Sequence, residues 1–155
     1  MTAPDPASAR PRRTAILGQG YVGLPLAIRA ADAGHRVVGF GTGDIRVKRL
    51  RAAQSRTPDI PDSQIACVPT NGTYAPTASA DDPAGFDVAV IAVPTPLRDG
   101  APDLSPIEHA TRILASHPCP GCAVVLESTT YRGTTEDLLQ PLLASVSSLI
   151  AGADL

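Results

Sequence analysis

Residues 13–23 read RTAILGQGYVG: a short apolar run meets three glycines in the spacing G-x-G-x-x-G. No other stretch constrains the fold as tightly. Gly18 follows the run at once, and a helical pattern starts at Tyr21, with Val22, Leu26 and Ala30 at i, i+4 and i+8 and Ala27 beside them. The motif therefore sits between a strand and a helix, which is the context that gives it meaning. Gly18 would make the tight turn, Gly20 would let the backbone approach a pyrophosphate, and Gly23 would let helix and strand pack closely. The helix start, at Tyr21 and Val22, then offers free N–H groups and a partial positive charge to the phosphates. The competing reading is a glycine-rich turn in an α/β protein that holds no ligand.

The rest of the chain repeats strand and helix with short loops. HRVVGF at 35–40 reads as a second strand after Gly34 stops the helix. Asp44 is placed to N-cap a helix reaching about Gln54, with Val47 and Leu50 inward. Residues 55–72 read as a loop with one helical turn at most, and 79–85 as one or two helical turns. TYAPT at 73–77 suits a sheet edge, because Pro76 has no N–H to donate. DVAVIAV at 87–93 is continuous and β-branched, as expected of a strand buried on both faces. A loop, PTPLRDGAPD, leads to a helix over 104–116, then to a further buried strand, AVVLES, at 123–128. From Thr134 the pattern is helical, with Pro141 expected to kink or split it.

This order predicts an α/β fold: a Rossmann-like doubly wound parallel sheet of five strands, with helices on both faces. Residues 1–12 are expected to be a disordered tail and 13–155 the folded domain. A sixth strand would start near Asp154, so it is expected to be missing and AVVLES to lie at an open edge. Open edges invite pairing, so a homodimer or a partner chain is expected there.

Composition excludes several classes. At 155 residues the chain suits one domain with a sizeable core, and its net charge of −2 argues against general nucleic-acid binding. No apolar run is long enough to span a membrane. Arg12-Arg13 ahead of an apolar run imitates a twin-arginine export leader, but that run contains Arg29 and its glycines already have a role. The expected location is the cytoplasm. Cys119 and Cys122 form CPGC, the spacing of a redox pair. Such pairs open helices, whereas this one falls in a helix-to-strand loop, where a Pro-Gly turn explains it. His109 and His117 lack the second Cys/His pair that a zinc site requires, so no metal is expected.

Four segments in order carry a resemblance: ILGQGYVGLPLA at 16–27, VAVIAVPTPL at 88–97, PDLSPIEHA at 102–110 and LESTTYRGTTEDLL at 126–139. Together they resemble the UDP-glucose/GDP-mannose dehydrogenases, the NAD-dependent nucleotide-sugar 6-dehydrogenases, over residues 13–150. YVGLPLA with ESTTY disfavours other Rossmann dehydrogenases, and leans toward members that oxidise UDP-N-acetylhexosamines. Arg132 stands where that family usually has Pro. The resemblance implies a double oxidation of a sugar 6-hydroxyl to a carboxylate, through a thiohemiacetal on a Cys, with two NAD reduced. The family's catalytic Cys, Lys and Asn lie in later segments, and neither Cys119 nor Cys122 matches the Cys motif. The chain alone is therefore expected to be inactive. By the same resemblance, Thr95 contacts cofactor. Thr129 contacts cofactor and helps place the catalytic water. Arg46 lies beside the adenosine ribose. Glu127 is read either as structural or as supporting the residues that touch the ligand.

One departure stands out. The family's second strand ends in an Asp, often as DxD, which aligns with Gly41, but this chain reads Gly41-Thr42-Gly43 and its first carboxylate is Asp44. A carboxylate there accepts hydrogen bonds from the ribose diol and repels a 2′-phosphate. Its loss should weaken NAD by about 1–3 kcal/mol. Either the site has turned toward NADP, with Thr42 and Arg46 joined by Lys48 or Arg49, or it has decayed into a non-catalytic nucleotide-binding or interaction module. The basic run Arg46, Lys48, Arg49 and Arg51 also has a plainer reading as a solvated helix face.

Overall fold

The computed structural model describes residues 10–153 apart from 56, 58–59, 71, 118–119, 148–149 and 151, with only the backbone of 67–70. The tail before Arg10, Cys119, the Cys67 side chain and the start of the expected sixth strand lie outside the described residues. Five parallel strands form the sheet: β1 (Arg13–Leu17), β2 (Arg36–Phe40), β3 (Tyr74–Thr77), β4 (Val88–Ile91) and, after a separate hairpin, β7 (Ala123–Leu126). Their order is β3-β2-β1-β4-β7, so the chain reverses direction across the sheet between β1 and β4. At such a reversal the loops on the two sides part, and a crevice opens at the strands' C-terminal ends.

Four of the five parallel strands were legible from their apolar runs, and the two cores follow from the faces of the sheet. On one face α1 (Gly23–Asp32) buries Leu24, Ala27, Ile28 and Ala31 together with Ile16, Val37 and Val90. On the other, α4 (Ser105–Ala115) buries Ile107, Ala110, Ile113 and Leu114, and Leu17, Ala89 and Ile91 lie in the core of that face. Pro76 occupies the β3 edge, paired with Gly39, where its missing donor is not needed.

Several expectations needed correction. Residues 62–70 form a helix, α3 (Asp62–Thr70), not a loop; Ile65 is fully buried. The sequence did carry the signal, since Pro61 followed by an acidic first residue is a helix start. Residues 80–85 are turns rather than helix, closed by bonds such as Asp82 N–H to Ser79 O and Ala84 N–H to Asp81 O. Pro83 within them cannot supply a helical donor. In α2 (Asp44–Arg51) it is Gly43 that holds the N-cap position, with no side-chain cap, and Asp44 is the first helical residue. The loop after β4 contains a hairpin, β5 (Leu97–Arg98) and β6 (Ala101–Pro102), turned at Asp99-Gly100, both with positive φ. Asp-Gly is the dipeptide that favours this turn. Just beyond, the Asp103 carboxyl accepts from the Ser105 N–H at 3.0 Å, and hydrogen bonding from Ser105 holds it below the usual range.

The C-terminal helix is divided as Pro141 implied. A π-helical turn, Thr135–Leu139, precedes α5 (Gln140–Ser147), and the Gln140 N–H donates five residues back to Thr135 O. The wider turn carries the backbone past the proline ring. Strand β7 is an edge, as expected, but it is not buried: Ala123 and Val125 are exposed, with Val124 and Leu126 half-covered.

The contrast between centre and edge is measurable. Val37 is 2% exposed and Val125 is 42% exposed. We expect Val37→Ala to cost about 2 kcal/mol in urea denaturation. Val125→Ala should stay within about 0.5 kcal/mol. A core-sized loss at Val125 would show that something covers the β7 edge.

Candidate functional site

The glycine turn is held by close backbone contacts. Gly18 has φ of +101°, and a Cβ on it would lie 2.3 Å from Ala92 O. A Cβ on Gly23 would lie 1.8 Å from Gly18 O. Neither position admits a side chain. The turn is pinned further by the Gly18 N–H donating to Phe40 O at 2.9 Å, at the end of β2. Gly20 differs: nothing lies near its missing Cβ except Arg46 Nη1 at 3.8 Å, so it opens outward. Helix α1 has no acid in its first turn and no side-chain cap, which leaves its N-terminal N–H groups to a ligand.

Around this turn lies a crevice of about 720 Å³ at the strands' C-terminal ends. It falls within the usual range for a small-molecule site. Gly18, Gly20, Tyr21, Val22, Thr42, Arg46, Thr95 and Thr129 all line it. Gly23 does not; it is buried beneath, as its packing role requires. Residues far apart in sequence are thus gathered by the ends of β1, β2, β4 and β7.

The far wall is stitched together by hydroxyls. Thr95 Oγ1 donates to Thr129 O at 2.8 Å, and Ser128 Oγ donates to Val93 O at 2.8 Å. The loops after β4 and β7 are therefore tied into one wall, with the Thr95 oxygen left as an acceptor. Glu127 is exposed on the crevice wall. It makes no side-chain hydrogen bond or ion pair with another described residue. His109 also lines the crevice, whereas His117 Nε2 lies 3.0 Å from Ala80 O. Among the described residues no group of three His, Cys, Asp or Glu could hold a metal.

Sequence reasoning missed the support beneath the turn. Gln19 is 3% exposed, and its Nε2 donates to Ile16 O at 3.0 Å and Gly18 O at 3.1 Å. Its Oε1 accepts from the Tyr74 hydroxyl at 2.7 Å. Gly39 makes room for that pair, since a Cβ there would lie 2.6 Å from Gln19 Oε1 and 2.7 Å from the Tyr74 ring. Gln19 is an "x" of the motif, and nothing in the sequence linked it to Tyr74. From outside, Arg46 Nη1 donates to Gln19 O at 2.9 Å. Arg51 Nε donates to Pro76 O at 3.1 Å, so the basic run is not simply a solvated face.

At the β2 end, Gly41 is buried without being crowded. A Cβ there would meet Gln19 Cγ at 3.8 Å and Val47 Cγ2 at 3.9 Å, both ordinary contacts. Sterics do not require glycine at this position. Asp44 is exposed, does not line the crevice, and so does not replace the missing acid.

A parallel sheet with this strand order, a glycine turn between β1 and α1, and a crevice at the reversal define a Rossmann dinucleotide-binding domain. Residues 12–154 match the UDP-glucose/GDP-mannose dehydrogenase family, NAD binding domain, and the chain belongs to that family. Protein CapL of Staphylococcus aureus is 37% identical over 144 residues, 92% of this chain and 33% of CapL. The solved structure of the UDP-D-ManNAc dehydrogenase of Pyrococcus horikoshii has a TM-score of 0.86 at 37% identity, covering 92% of this chain and 34% of that one. The NDP-N-acetyl-D-galactosaminuronic acid dehydrogenase of Methanosarcina mazei gives a TM-score of 0.85 at 30% identity, covering 94% and 33%. The chain spans about a third of the length of the curated relatives it matches.

The Gln19–Tyr74 bond yields a test. Tyr74→Phe leaves the buried Gln19 Oε1 without its donor and should cost about 1–3 kcal/mol. Burial also raises the Tyr74 pKa above the ordinary 10.0. The folded state then keeps a proton that the unfolded state releases, so stability is full below pH ~10 and falls as pH rises beyond it. Denaturation curves against pH should show the decline above pH ~10 to be shallower in Tyr74→Phe. Equal slopes would mean that Tyr74 ionises freely.

Proposed function

We propose that this chain is the cofactor-holding domain of a nucleotide-sugar 6-dehydrogenase, an enzyme that oxidises the 6-hydroxyl of a UDP- or GDP-sugar to a carboxylate. The observation that carries the reading is the single crevice into which eight of the predicted site residues open. The cofactor is a nicotinamide dinucleotide, which accepts hydride when bound. The chain's own residues hold and orient it. Backbone N–H groups at Gly20 to Val22 meet the pyrophosphate, and the bare Gly20 lets it come close. Arg46 steadies the turn through Gln19 O and borders the ribose end. Thr95 and Thr129, tied to each other, flank the nicotinamide end, and Thr129 places a water there. The nucleotide-sugar would be met jointly with segments that correspond to the remaining two-thirds of the relatives. Acetylhexosamine dehydrogenases among those relatives support that substrate class.

The reading carries two further parts. The domain works in the cytoplasm; no helix among the described residues is long and apolar enough to cross a membrane. The exposed edge of β7 pairs with a second copy or a partner chain. A monodisperse monomer in sedimentation would count against that pairing.

A second reading has one observation in its favour. No carboxylate replaces the ribose acid at the β2 end, as expected of a module whose cofactor site has decayed. The two readings part on binding. Fluorescence titration with NADH and NADPH should show saturable binding of at least one of them. Gly20→Val should abolish binding while leaving the melting temperature nearly unchanged, because its side chain enters open crevice space. No binding to the folded wild-type chain would establish the second reading and overturn the first.

A further inference from the structure

We propose that the β2 end of the crevice is a 2′-phosphate site, so that this chain selects NADP over NAD. The proposal rests on reading the crevice as a dinucleotide site. A dinucleotide whose pyrophosphate lies on the Gly18–Gly23 turn brings its adenosine ribose to the end of β2, at Gly41, Thr42 and Gly43. A carboxylate at that point would hold the diol of NAD and repel a phosphate. Here none is present, although Gly41 has room for a Cβ at 3.8–3.9 Å from its neighbours. The acid is therefore absent for no steric reason, and its absence leaves space.

Arg46 borders that space, and Arg49 lines a hollow that adjoins it. Arg46 lines the crevice and also a second hollow of about 560 Å³ that adjoins it, sharing Gln19, Gly20, Tyr21 and Gly43. Arg49, one turn further along α2, lines the second hollow. Arg46 is fixed in place through a single donor, Nη1 to Gln19 O, out of the five a guanidinium carries. The Arg49 side chain makes no hydrogen bond or ion pair with another described residue, although its backbone carbonyl accepts from the Gln54 N–H at 2.9 Å. No ion pair among the described residues neutralises either one. Asp44, the nearest carboxylate in sequence, lines neither hollow. A pre-positioned guanidinium, a second cation one turn away and the Thr42 hydroxyl form a set that pairs with a phosphate dianion. A ribose diol, which Arg46 can also border, leaves the second cation without an anion to pair with.

Isothermal calorimetry of the 155-residue chain with NADP⁺ and NAD⁺ in parallel tests this, with folding of each variant checked by circular dichroism. NADP⁺ should bind about tenfold tighter or more, the scale of a charged hydrogen bond to phosphate. Arg49→Ala and Arg46→Ala should each shrink the ratio of the two affinities. Arg46→Ala can also loosen the turn and weaken both ligands, so the ratio is the quantity to read. Gly41→Asp should reverse the preference toward NAD⁺. Equal or tighter binding of NAD⁺ by the wild-type chain would overturn the 2′-phosphate site while leaving the dinucleotide reading intact. A ratio unmoved by both arginine variants would also overturn it. Failure of a folded chain to bind either dinucleotide would overturn both.

Discussion

The contact between Gly18 and Gly23 governs the layout of the molecule. A Cβ on Gly23 would sit 1.8 Å from Gly18 O, so the start of α1 rests directly on the turn that leaves β1. The same turn is wedged against β4 at Ala92 O and hydrogen-bonded to β2 at Phe40 O. Three strands and a helix are thus locked at one point, and that point is the floor of the crevice. The close approach that makes α1 pack on β1 also aims the helix N-terminus into the site. Gly18 and Gly23 thus set both the packing of α1 on β1 and the floor of the crevice.

A second layer of support runs through Gln19. Its side chain is held by Ile16 O and Gly18 O within the turn and by Tyr74 from the neighbouring edge strand, while Arg46 holds its carbonyl from α2. The edge strand β3 and the basic helix α2 are thereby joined to the glycine turn by directed bonds as well as by apolar contact. Arg46 occupies a double position: it braces the turn and lines the β2 end of the crevice. A change at that end can therefore reach the glycine turn through one guanidinium.

The sequence revealed what repeats and what is chemically exceptional. Apolar runs gave four of the five parallel strands, Pro76 marked TYAPT as an edge, and G-x-G-x-x-G in its strand-to-helix setting gave the turn. Thr95 and Thr129 came from the resemblance and do open onto the crevice, but their mutual bond, 34 residues apart, could not be read from either segment. Side-chain pairs at such separations leave no local pattern, and the Tyr74–Gln19 bond was hidden for the same reason. Other misses lay in signals present but outweighed: Pro61-Asp62 as a helix start, Asp99-Gly100 as a hairpin turn. The half-exposed β7 shows that an apolar run marks a strand without saying how many faces its neighbours cover.

The central claim is that a nicotinamide dinucleotide occupies the crevice between the glycine turn and the Thr95–Thr129 wall. Amide-resolved NMR of the chain, titrated with NADP⁺ and separately with NAD⁺, tests it most directly. The account predicts that the shifted resonances cluster at Gly18 to Gly23, Gly41 to Arg46, Thr95 and Thr129, while α3 and the β5–β6 hairpin stay unmoved. Shifts concentrated on the hairpin or the β7 edge, or none at saturating ligand, would contradict it.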